Sequence, residues 1–228
     1  MRILDKLKHG LIVSCQSEGD DPFNSPEGMA LFARAVEMGG AAGIRSEGLA
    51  KTREILRQVE IPVIGLVKDE FEDGSVCITR VLEAVDALCE MGCEIVAVDG
   101  TERKVHGMTG PEFIRQVKRK CKITVMADLD RIDSAEACIK AGADCLSTTL
   151  SGYTAATSGV DMHLPDIDLL RALVETFDLP VFAEGRINTP ALAKTMIEAG
   201  AWAVVVGTAI TRPRVVTGWY LEAMRGKR

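Results

Sequence analysis

The most regular feature of the chain is a series of short, nearly continuous apolar runs separated by longer segments of mixed character. Strands buried on both faces of a parallel sheet have such runs, because neither face presents polar side chains to water. The pattern therefore predicts strands at GLIVSCQ (10–16), AAGIRS (41–46), PVIGLVK (62–68), EIVAVDG (94–100), ITVMADL (123–129), CLSTTL (145–150), PVFAEGR (180–186) and AVVVGTA (203–209).

The segments between these runs have helical periodicity and residues that begin helices. One such segment opens with Ser25 and Pro26 and closes at Gly39. Another opens with Thr189 and Pro190. Serine and threonine cap the free N–H groups of a first helical turn, and proline fits that turn without losing a hydrogen bond. The chain is therefore predicted to alternate between strands and helices.

Eight strands that alternate with helices predict one closed (β/α)8 barrel, the TIM-barrel fold, as a single domain over residues 1–228. The competing α/β arrangement is a doubly wound open sheet, which would require a GxGxxG turn after the first strand. The residues that follow Gln16 do not supply this turn. The barrel is therefore the favoured fold.

The composition and the net charge of the chain disfavour nucleic acids and membranes as its binding partners. Hydrophobic residues make up 47% of the 228 residues, as in an ordinary globular protein, and the formal net charge is −6. Nucleic acids and anionic membranes require a concentrated basic face, which this balance disfavours. No apolar run reaches the roughly 18 residues of a membrane span. The expected ligand is a small molecule, for which a local basic pocket suffices.

The cysteines and histidines do not predict a metal site. The seven cysteines are scattered through apolar stretches, and the three histidines are widely dispersed. Cys89 and Cys93 lie one helical turn apart, but no second pair completes a zinc set. The N-terminal segment is charged and does not resemble a secretory leader. We therefore expect reduced thiols in a cytoplasmic protein without a metal.

Polar side chains close almost every apolar run. The carboxyl ends of all strands of a (β/α)8 barrel meet at one mouth, where active sites of this fold lie. Packing alone does not need so many charges there, although any one of them could be a solvated rim charge or a structural ion pair. The candidates are Gln16, Arg45, Lys68, Asp99, Asp128, Thr148, Thr149, Glu184, Arg186, Gly207 and Thr208.

Two of these strand ends carry glycines that suit an anion. AEGRI (183–187) and VVGTAI (205–210) place a glycine where the chain leaves a strand. Such turns expose backbone N–H groups, and a following short helix favours negative charge at its start. Barrels commonly bind phosphate after strands seven and eight. Arg186 and Arg212 could add charged donors, while the alternative is that the glycines only form tight turns.

Lys68 and Glu184 are the candidates for acid/base chemistry. A lysine at the end of an apolar strand stands in a partly dry cavity, where loss of hydration makes its amine a usable base. A nearby carboxylate would hold the ammonium charged and could accept its proton. The alternative is that Lys68 is a solvated rim lysine and Glu184 is its salt-bridge partner.

Several motifs closely resemble the N-acetylmannosamine-6-phosphate 2-epimerase family, in the same order and from Gly10 to about Pro213. One motif departs from the family pattern, since VDGTERK (98–104) has glycine where alanine is expected after Asp99 and lacks a second arginine. The segment 157–165 is also looser than the family pattern, and no role is assigned to it. The matching motifs are GLIVSCQ, GIR, PVIGLVK, MAD, STTLSGYT, AEGRINTP and VVGTAITRP.

The resemblance implies an isomerase, N-acylglucosamine-6-phosphate 2-epimerase, that acts in sialic acid breakdown. Its substrates are N-acetylmannosamine 6-phosphate and N-acetylglucosamine 6-phosphate, and the family uses no metal or nicotinamide cofactor. The C2 proton would be removed and returned to the opposite face, either by two groups or by one group while the intermediate rotates.

The resemblance also implies roles for single residues. Lys68 and Glu184 match the acid/base positions, Gln16, Arg45 and Asp128 match substrate contacts, and Gly185, Arg186, Gly207 and Thr208 match the phosphate cradle. A Schiff-base lyase or synthase that uses Lys68, and a non-catalytic sugar-phosphate binding subunit, are the alternatives. The oligomeric state is open, and a homodimer is allowed.

Overall fold

The computed structural model describes residues 2–71 and 73–226. The strands are β1 (Leu11–Cys15), β2 (Gly43–Glu47), β3 (Val63–Leu66), β4 (Lys68–Glu70), β5 (Val76–Ile78), β6 (Ile95–Asp99), β7 (Thr124–Asp128), β8 (Cys145–Ser147), β9 (Val181–Glu184) and β10 (Ala203–Val206). The helices are α1 (Ile3–Leu7), α2 (Pro26–Met38), α3 (Leu49–Leu56), α4 (Leu82–Met91), α5 (Gly110–Lys120), α6 (Asp133–Ala141), α7 (Ile167–Thr176), α8 (Pro190–Glu198), α9 (Thr208–Thr211) and α10 (Pro213–Met224), with a 3-10 turn at Ala155–Thr157.

The predicted barrel is confirmed. Eight parallel strands close in the order β1-β10-β9-β8-β7-β6-β3-β2, and each overlaps one of the predicted apolar runs. Between successive barrel strands the chain crosses outside the sheet through helices, which is how parallel strands are usually connected. The C-terminal ends of the strands therefore meet at one mouth, as the sequence predicts.

The predicted helix starts are confirmed as well. Ser25 accepts a hydrogen bond from the backbone N–H of Gly28 at 3.0 Å, and Thr189 accepts one from Leu192 at 3.2 Å. In both helices a proline occupies the first helical position. Across the described residues, none of the helices combines the length and apolar character that crossing a bilayer requires.

Alternation along the strands builds the barrel interior in layers. Ile12, Ile64, Ile95, Met126 and Phe182 are among the residues that pack inside the barrel, and each is fully buried. Because side chains point to alternate faces of a strand, polar residues in phase with these apolar ones also face the interior, nearer the mouth. These polar residues are Ser14, Arg45, Asp99, Asp128, Ser147 and Glu184.

A β-hairpin follows the third barrel strand, and the sequence reading missed it. β4 and β5 pair antiparallel, with Lys68 opposite Ile78 and Glu70 opposite Val76, as a separate two-stranded sheet. The strand β4 consists of Lys-Asp-Glu, a composition that strands disfavour, so its pattern gave no signal. The expectation that Lys68 ends a barrel strand is therefore wrong. Lys68 begins this hairpin.

Candidate active site

A cavity of about 920 Å³ opens at the mouth of the barrel. Most of the predicted site residues line it, so the structure brings them together. Among the described residues, Asp99, Asp128 and Thr148 are the candidates that lie outside its wall. The candidates in the wall are Gln16, Arg45, Lys68, Thr149, Glu184, Gly185, Arg186, Gly207, Thr208 and Arg212.

Arg45 and Asp128 form a buried ion pair at the base of this cavity. Arg45 lies in the middle of β2 with 1% of its side chain exposed, and Asp128 is the last residue of β7. The guanidinium donates to both carboxylate oxygens, from Nη2 to Oδ2 at 2.6 Å and from Nη1 to Oδ1 at 3.3 Å. Two-point contact of this kind fixes the orientation of both groups.

Glu184 joins this pair from the end of β9. Its Oε2 lies 3.3 Å from Arg45 Nε, and the hydroxyl oxygen of Thr149 lies 2.9 Å from both Glu184 Oε2 and Asp128 Oδ1. Burial raises the pKa of Glu184 despite the charge of Arg45, and repulsion from Asp128 adds to the rise. Burial likewise raises the pKa of Asp128. One cation thus serves two carboxyl groups that hold protons more tightly than usual.

Lys68 pairs with a residue that the sequence reading did not consider. Its side chain is 31% exposed, and its Nζ donates to Glu18 Oε1 at 2.9 Å. The alternative reading that made Glu184 its salt-bridge partner is wrong, since no ion pair in the described parts of the chain joins Lys68 to Glu184. Glu184 turns inward to Arg45 instead.

Glu18 connects Lys68 to a second cation. The same oxygen, Oε1, accepts from Arg212 Nη2 at 2.8 Å. Burial acts to raise the pKa of Glu18, but the hydrogen bonds and charges of Lys68 and Arg212 outweigh it and lower this pKa to about 2. Glu18 is therefore a carboxylate at physiological pH. It lies between Lys68 and Arg212, and Arg212 follows β10 and the short helix α9.

Gln16 presents an amide to the cavity directly after β1. Its Nε2 donates to Ser14 Oγ at 2.7 Å, which fixes the side chain. The residue is 8% exposed, and it lines the cavity together with Ser14 and Ser17. An amide held by one hydrogen bond keeps a second N–H and its oxygen for a ligand.

The two predicted phosphate loops lie on the same wall of the cavity. Gly185 and Arg186 both have left-handed backbone conformations, with φ of +108° and +58°. Gly207 is the N-cap of the short helix α9, which begins at Thr208. Left-handed backbone is common for glycine and uncommon for arginine, so the loop after β9 is held by its surroundings.

The guanidinium of Arg186 helps to fix the conformation of the loop after β9. Its Nε donates to the carbonyl oxygen of Leu164 at 2.7 Å, and its Nη1 donates to that of Ser151 at 2.6 Å. The guanidinium also lies 5.7 Å from the ring centre of Tyr153. These contacts fasten the loop after β8 to the loop after β9. Among the described residues Nη2 makes no hydrogen bond, and Arg186 lies in the wall of the cavity.

Three acidic residues of the site pair with cations. Within residues 2–71 and 73–226, no group of three or more His, Cys, Asp or Glu side chains is placed to hold a metal ion. Asp128 and Glu184 bond to Arg45, and Glu18 bonds to Lys68 and Arg212. The chemistry available in the cavity is that of an amine, carboxyl groups and N–H donors.

Sequence reasoning missed Glu18 and Tyr153. Glu18 follows β1 at the same mouth as Gln16, and this position was the one available signal. Tyr153 lies in the STTLSGYT motif, and its ring, 44% exposed, lines the cavity. A residue in a loop has no fixed direction in sequence, so neither side chain could be placed before the fold was known.

Comparison with known proteins gives a consistent result. Residues 29–226 match the family described as "Putative N-acetylmannosamine-6-phosphate epimerase". A protein of Caldanaerobacter subterraneus subsp. tengcongensis named "Putative N-acetylmannosamine-6-phosphate 2-epimerase" is 44% identical over an alignment of 230 positions that covers 100% of this chain and 96% of that protein. A protein of the same name from Cutibacterium acnes is 41% identical, over 98% of this chain and 97% of that protein.

Solved structures agree with these relatives. The N-acetylmannosamine-6-phosphate 2-epimerase from Clostridium perfringens superposes with a TM-score of 0.90 at 38% identity, over 98% of this chain and 96% of that chain. A thiamine phosphate pyrophosphorylase from Pyrococcus furiosus superposes with a TM-score of 0.59 at 17% identity, over 92% of this chain and 89% of that chain. The second likeness concerns the fold alone.

Proposed function

Since this chain belongs to the family of N-acetylmannosamine-6-phosphate epimerases, we propose that it interconverts N-acetylmannosamine 6-phosphate and N-acetylglucosamine 6-phosphate in the breakdown of sialic acid. This is the N-acylglucosamine-6-phosphate 2-epimerase reaction. The observation that carries the proposal is a single cavity lined by an amine, Lys68, by a carboxyl group, Glu184, and by glycine loops suited to phosphate. The names of the relatives favour an epimerase over a Schiff-base lyase or a binding subunit.

Lys68 moves the proton in this proposal. In the open-chain sugar, C2 lies next to the C1 aldehyde. When Lys68, as a neutral amine, takes the C2 proton, it becomes an ammonium; the electron pair of the C2–H bond forms the C1–C2 double bond and leaves negative charge on O1. Return of a proton to the opposite face of C2 completes the inversion. Lys68 suits this role because its amine lies in the wall of the cavity, within reach of a bound sugar.

The negative charge on O1 needs a donor that is already in place. Gln16 fits, because Ser14 fixes its amide and leaves an N–H for the ligand. Arg45 contributes a positive charge from below, since its guanidinium is bound to Asp128 and Glu184 and does not have to reorganise. The oxygen of the enolate and the acetamido carbonyl are the two substrate groups that these donors would hold.

Glu184 is the second acid/base group of the proposal. Its side chain is 13% exposed at the cavity, and burial raises its pKa, so it holds a proton more readily than an ordinary glutamate. In a two-base form of the reaction, Glu184 protonates C2 from the face opposite Lys68. In a one-base form, the intermediate rotates and Glu184 sets the charge around Lys68 from within the Arg45 cluster.

In this proposal the phosphate of the substrate binds to the loops after β9 and β10. Gly185, Gly207 and Thr208 supply backbone N–H groups there, and Arg212 supplies a cation. Arg186 contributes through Nη2, the part of its guanidinium that the carbonyls of the neighbouring loops leave available. The phosphate then displaces Glu18 from Arg212.

Proton NMR in D₂O tests the reaction directly. We expect N-acetylmannosamine 6-phosphate to be converted to N-acetylglucosamine 6-phosphate with deuterium at C2, because the proton leaves through an exchangeable group. Cleavage of the sugar, or tight binding with no conversion, would contradict the proposal. Sodium borohydride added during turnover checks the lyase alternative, since it would trap a Schiff base on Lys68.

A further inference from the structure

Lys68 lies on the hairpin β4–β5, whose strands do not pair with the barrel strands among the described residues. The hairpin β4–β5 forms its own two-stranded sheet, and its base is closed by Val67 and Thr79, where the N–H of Thr79 donates to the carbonyl of Val67 at 2.8 Å. An isolated two-stranded hairpin is marginally stable in water. Ile78, opposite Lys68, anchors the inner end of the hairpin in the core of the barrel, so the outer part is the part that needs a further contact to hold its position.

Arg103 is the residue that reaches this outer part. Its Nη1 donates to Ser75 Oγ at 3.1 Å, and its guanidinium stacks on Phe71 with 4.2 Å to the ring centre. Phe71 and Ser75 belong to the connection between β4 and β5. One cation thus contacts the hairpin loop on both of its sides.

Asp99 holds Arg103 in turn. This carboxylate is fully buried at the end of β6, and its Oδ2 accepts from Arg103 Nη2 at 2.7 Å. Its other oxygen accepts from the backbone N–H and the hydroxyl of Thr101, at 3.0 and 2.6 Å. Arg80, which follows β5, lies 3.7 Å from that same oxygen. Asp99 therefore contacts both Arg103, which binds the outer loop of the hairpin, and Arg80, which follows its second strand.

We propose that Arg103 is a positioning residue for the epimerisation, because it ties the hairpin that carries Lys68 to the buried carboxylate of Asp99. This inference rests on the proposed role of Lys68 in moving the C2 proton. Neither Arg103 nor Asp99 lines the cavity among the residues described, so they act through the hairpin and not on the substrate.

The chemistry of arginine suits this role. Its Nη2 faces Asp99, its Nη1 faces Ser75, its Nε donates to Thr101 Oγ1 at 3.0 Å, and its plane covers Phe71. A lysine presents one point charge and cannot make these contacts at once. Arg103→Lys should therefore have a kcat between those of Arg103→Ala and the unaltered enzyme.

The first test compares the steady-state kinetics of Arg103→Ala and Arg103→Lys with the unaltered enzyme. Misplacing a catalytic group by about 1 Å can cost about 10²-fold in rate, so we expect kcat of Arg103→Ala to fall by that order. KM should change little, because the phosphate loops lie on other elements. Arg115→Ala is the matched control, since it removes an exposed arginine from α5 and should leave kcat unchanged.

A second pair of variants removes the hairpin side of the contact and leaves Asp99 paired. Phe71→Leu and Ser75→Ala should lower kcat in the same direction as Arg103→Ala, and combining either with Arg103→Ala should add little. Hydrogen exchange should speed up in the peptide that covers residues 68–78 and stay unchanged in the barrel strands. These variants keep the test decisive even if Arg103→Ala does not fold.

The result that overturns the inference is full kcat in Phe71→Leu, Ser75→Ala and a folded Arg103→Ala. This outcome is separate from failure of the proposed function. If the unaltered enzyme does not epimerise its substrate, or if Lys68→Ala is fully active, the proposed function fails whatever the Arg103 variants do.

Discussion

Lys68 and Glu18 are joined by a hydrogen bond of 2.9 Å, and the oxygen of Glu18 that accepts it also accepts from Arg212 at 2.8 Å. A carboxylate of the protein thus lies between two cations that would also attract an anionic substrate. Opposite charges at this distance stabilise each other. In the proposed function, the phosphate of the substrate replaces Glu18 at Arg212.

Replacing Glu18 by glutamine should strengthen phosphate binding. The variant keeps the shape of the side chain and removes the competing negative charge, so Arg212 meets the phosphate without an exchange. Exposed ion pairs are weak, and we expect the inhibition constant of inorganic phosphate to fall by about twofold to fivefold. Asp20→Asn is the matched control, since it removes a negative charge from the same loop but outside the cavity wall. Weaker phosphate binding by Glu18→Gln would contradict this account.

Replacing Arg45 by methionine should destabilise the fold in a way that depends on pH. The change leaves the carboxyl groups of Asp128 and Glu184 buried without a cation, and breaking such a cluster costs about 3–5 kcal/mol in the free energy of unfolding. Urea unfolding at several pH values measures this cost. Arg53→Met is the control, because Arg53 is exposed on α3.

The sign of that pH dependence follows from the carboxyl groups. Burial raises the pKa of both in the folded protein, and loss of the cation raises them further. A group of this kind stabilises the fold below its unfolded pKa, and the stabilisation is lost as the pH rises through the folded pKa. Arg45→Met should therefore be closest to the unaltered protein near pH 4 and furthest from it at pH 8. A constant difference across this range would show that the two carboxyl groups do not interact with Arg45 as described.

Glu184→Gln should lower kcat and change the pH profile while binding persists. The amide keeps the hydrogen bond to Thr149 but cannot gain or lose a proton, and positioned acid/base groups contribute about 10²–10⁴-fold. The acidic limb of the kcat profile should be altered, because the pKa of Glu184 is raised in the folded enzyme. Affinity for N-acetylglucosamine 6-phosphate, measured by calorimetry, should be largely retained. An unchanged profile would place Glu184 outside the reaction.

The phosphate of the substrate should contribute to turnover as well as to affinity. Binding energy from a remote group positions the reacting carbon, so N-acetylmannosamine should show lower kcat and kcat/KM than its 6-phosphate. Arg212→Gln should raise KM about tenfold or more for the phosphorylated sugar, because it removes a hydrogen bond to a charged group. Arg214→Gln, which removes the nearby cation outside the cavity wall, should have little effect. Equal kcat/KM for the two sugars would contradict the proposed phosphate site.

The sequence predicted what depends on periodicity and not what depends on tertiary contacts. The apolar runs predicted all eight barrel strands, because burial on both faces leaves a clear pattern. The hairpin β4–β5 was missed, since its first strand is Lys-Asp-Glu and its loop contacts residues far along the chain, such as Arg103. Glu18 was missed for a related reason, because only the folded loops bring it to Lys68.

The central claim is that Lys68 moves the C2 proton, and the turnover of Lys68→Ala tests it most directly. Lys51→Ala is the matched control, since Lys51 is the other lysine in the wall of the cavity. With the same NMR assay, we expect Lys68→Ala to lose about 10²–10⁴-fold in kcat. It should still bind N-acetylglucosamine 6-phosphate, and Lys51→Ala should stay active. Full activity of Lys68→Ala, with exchange of the C2 proton at the normal rate, would contradict the account.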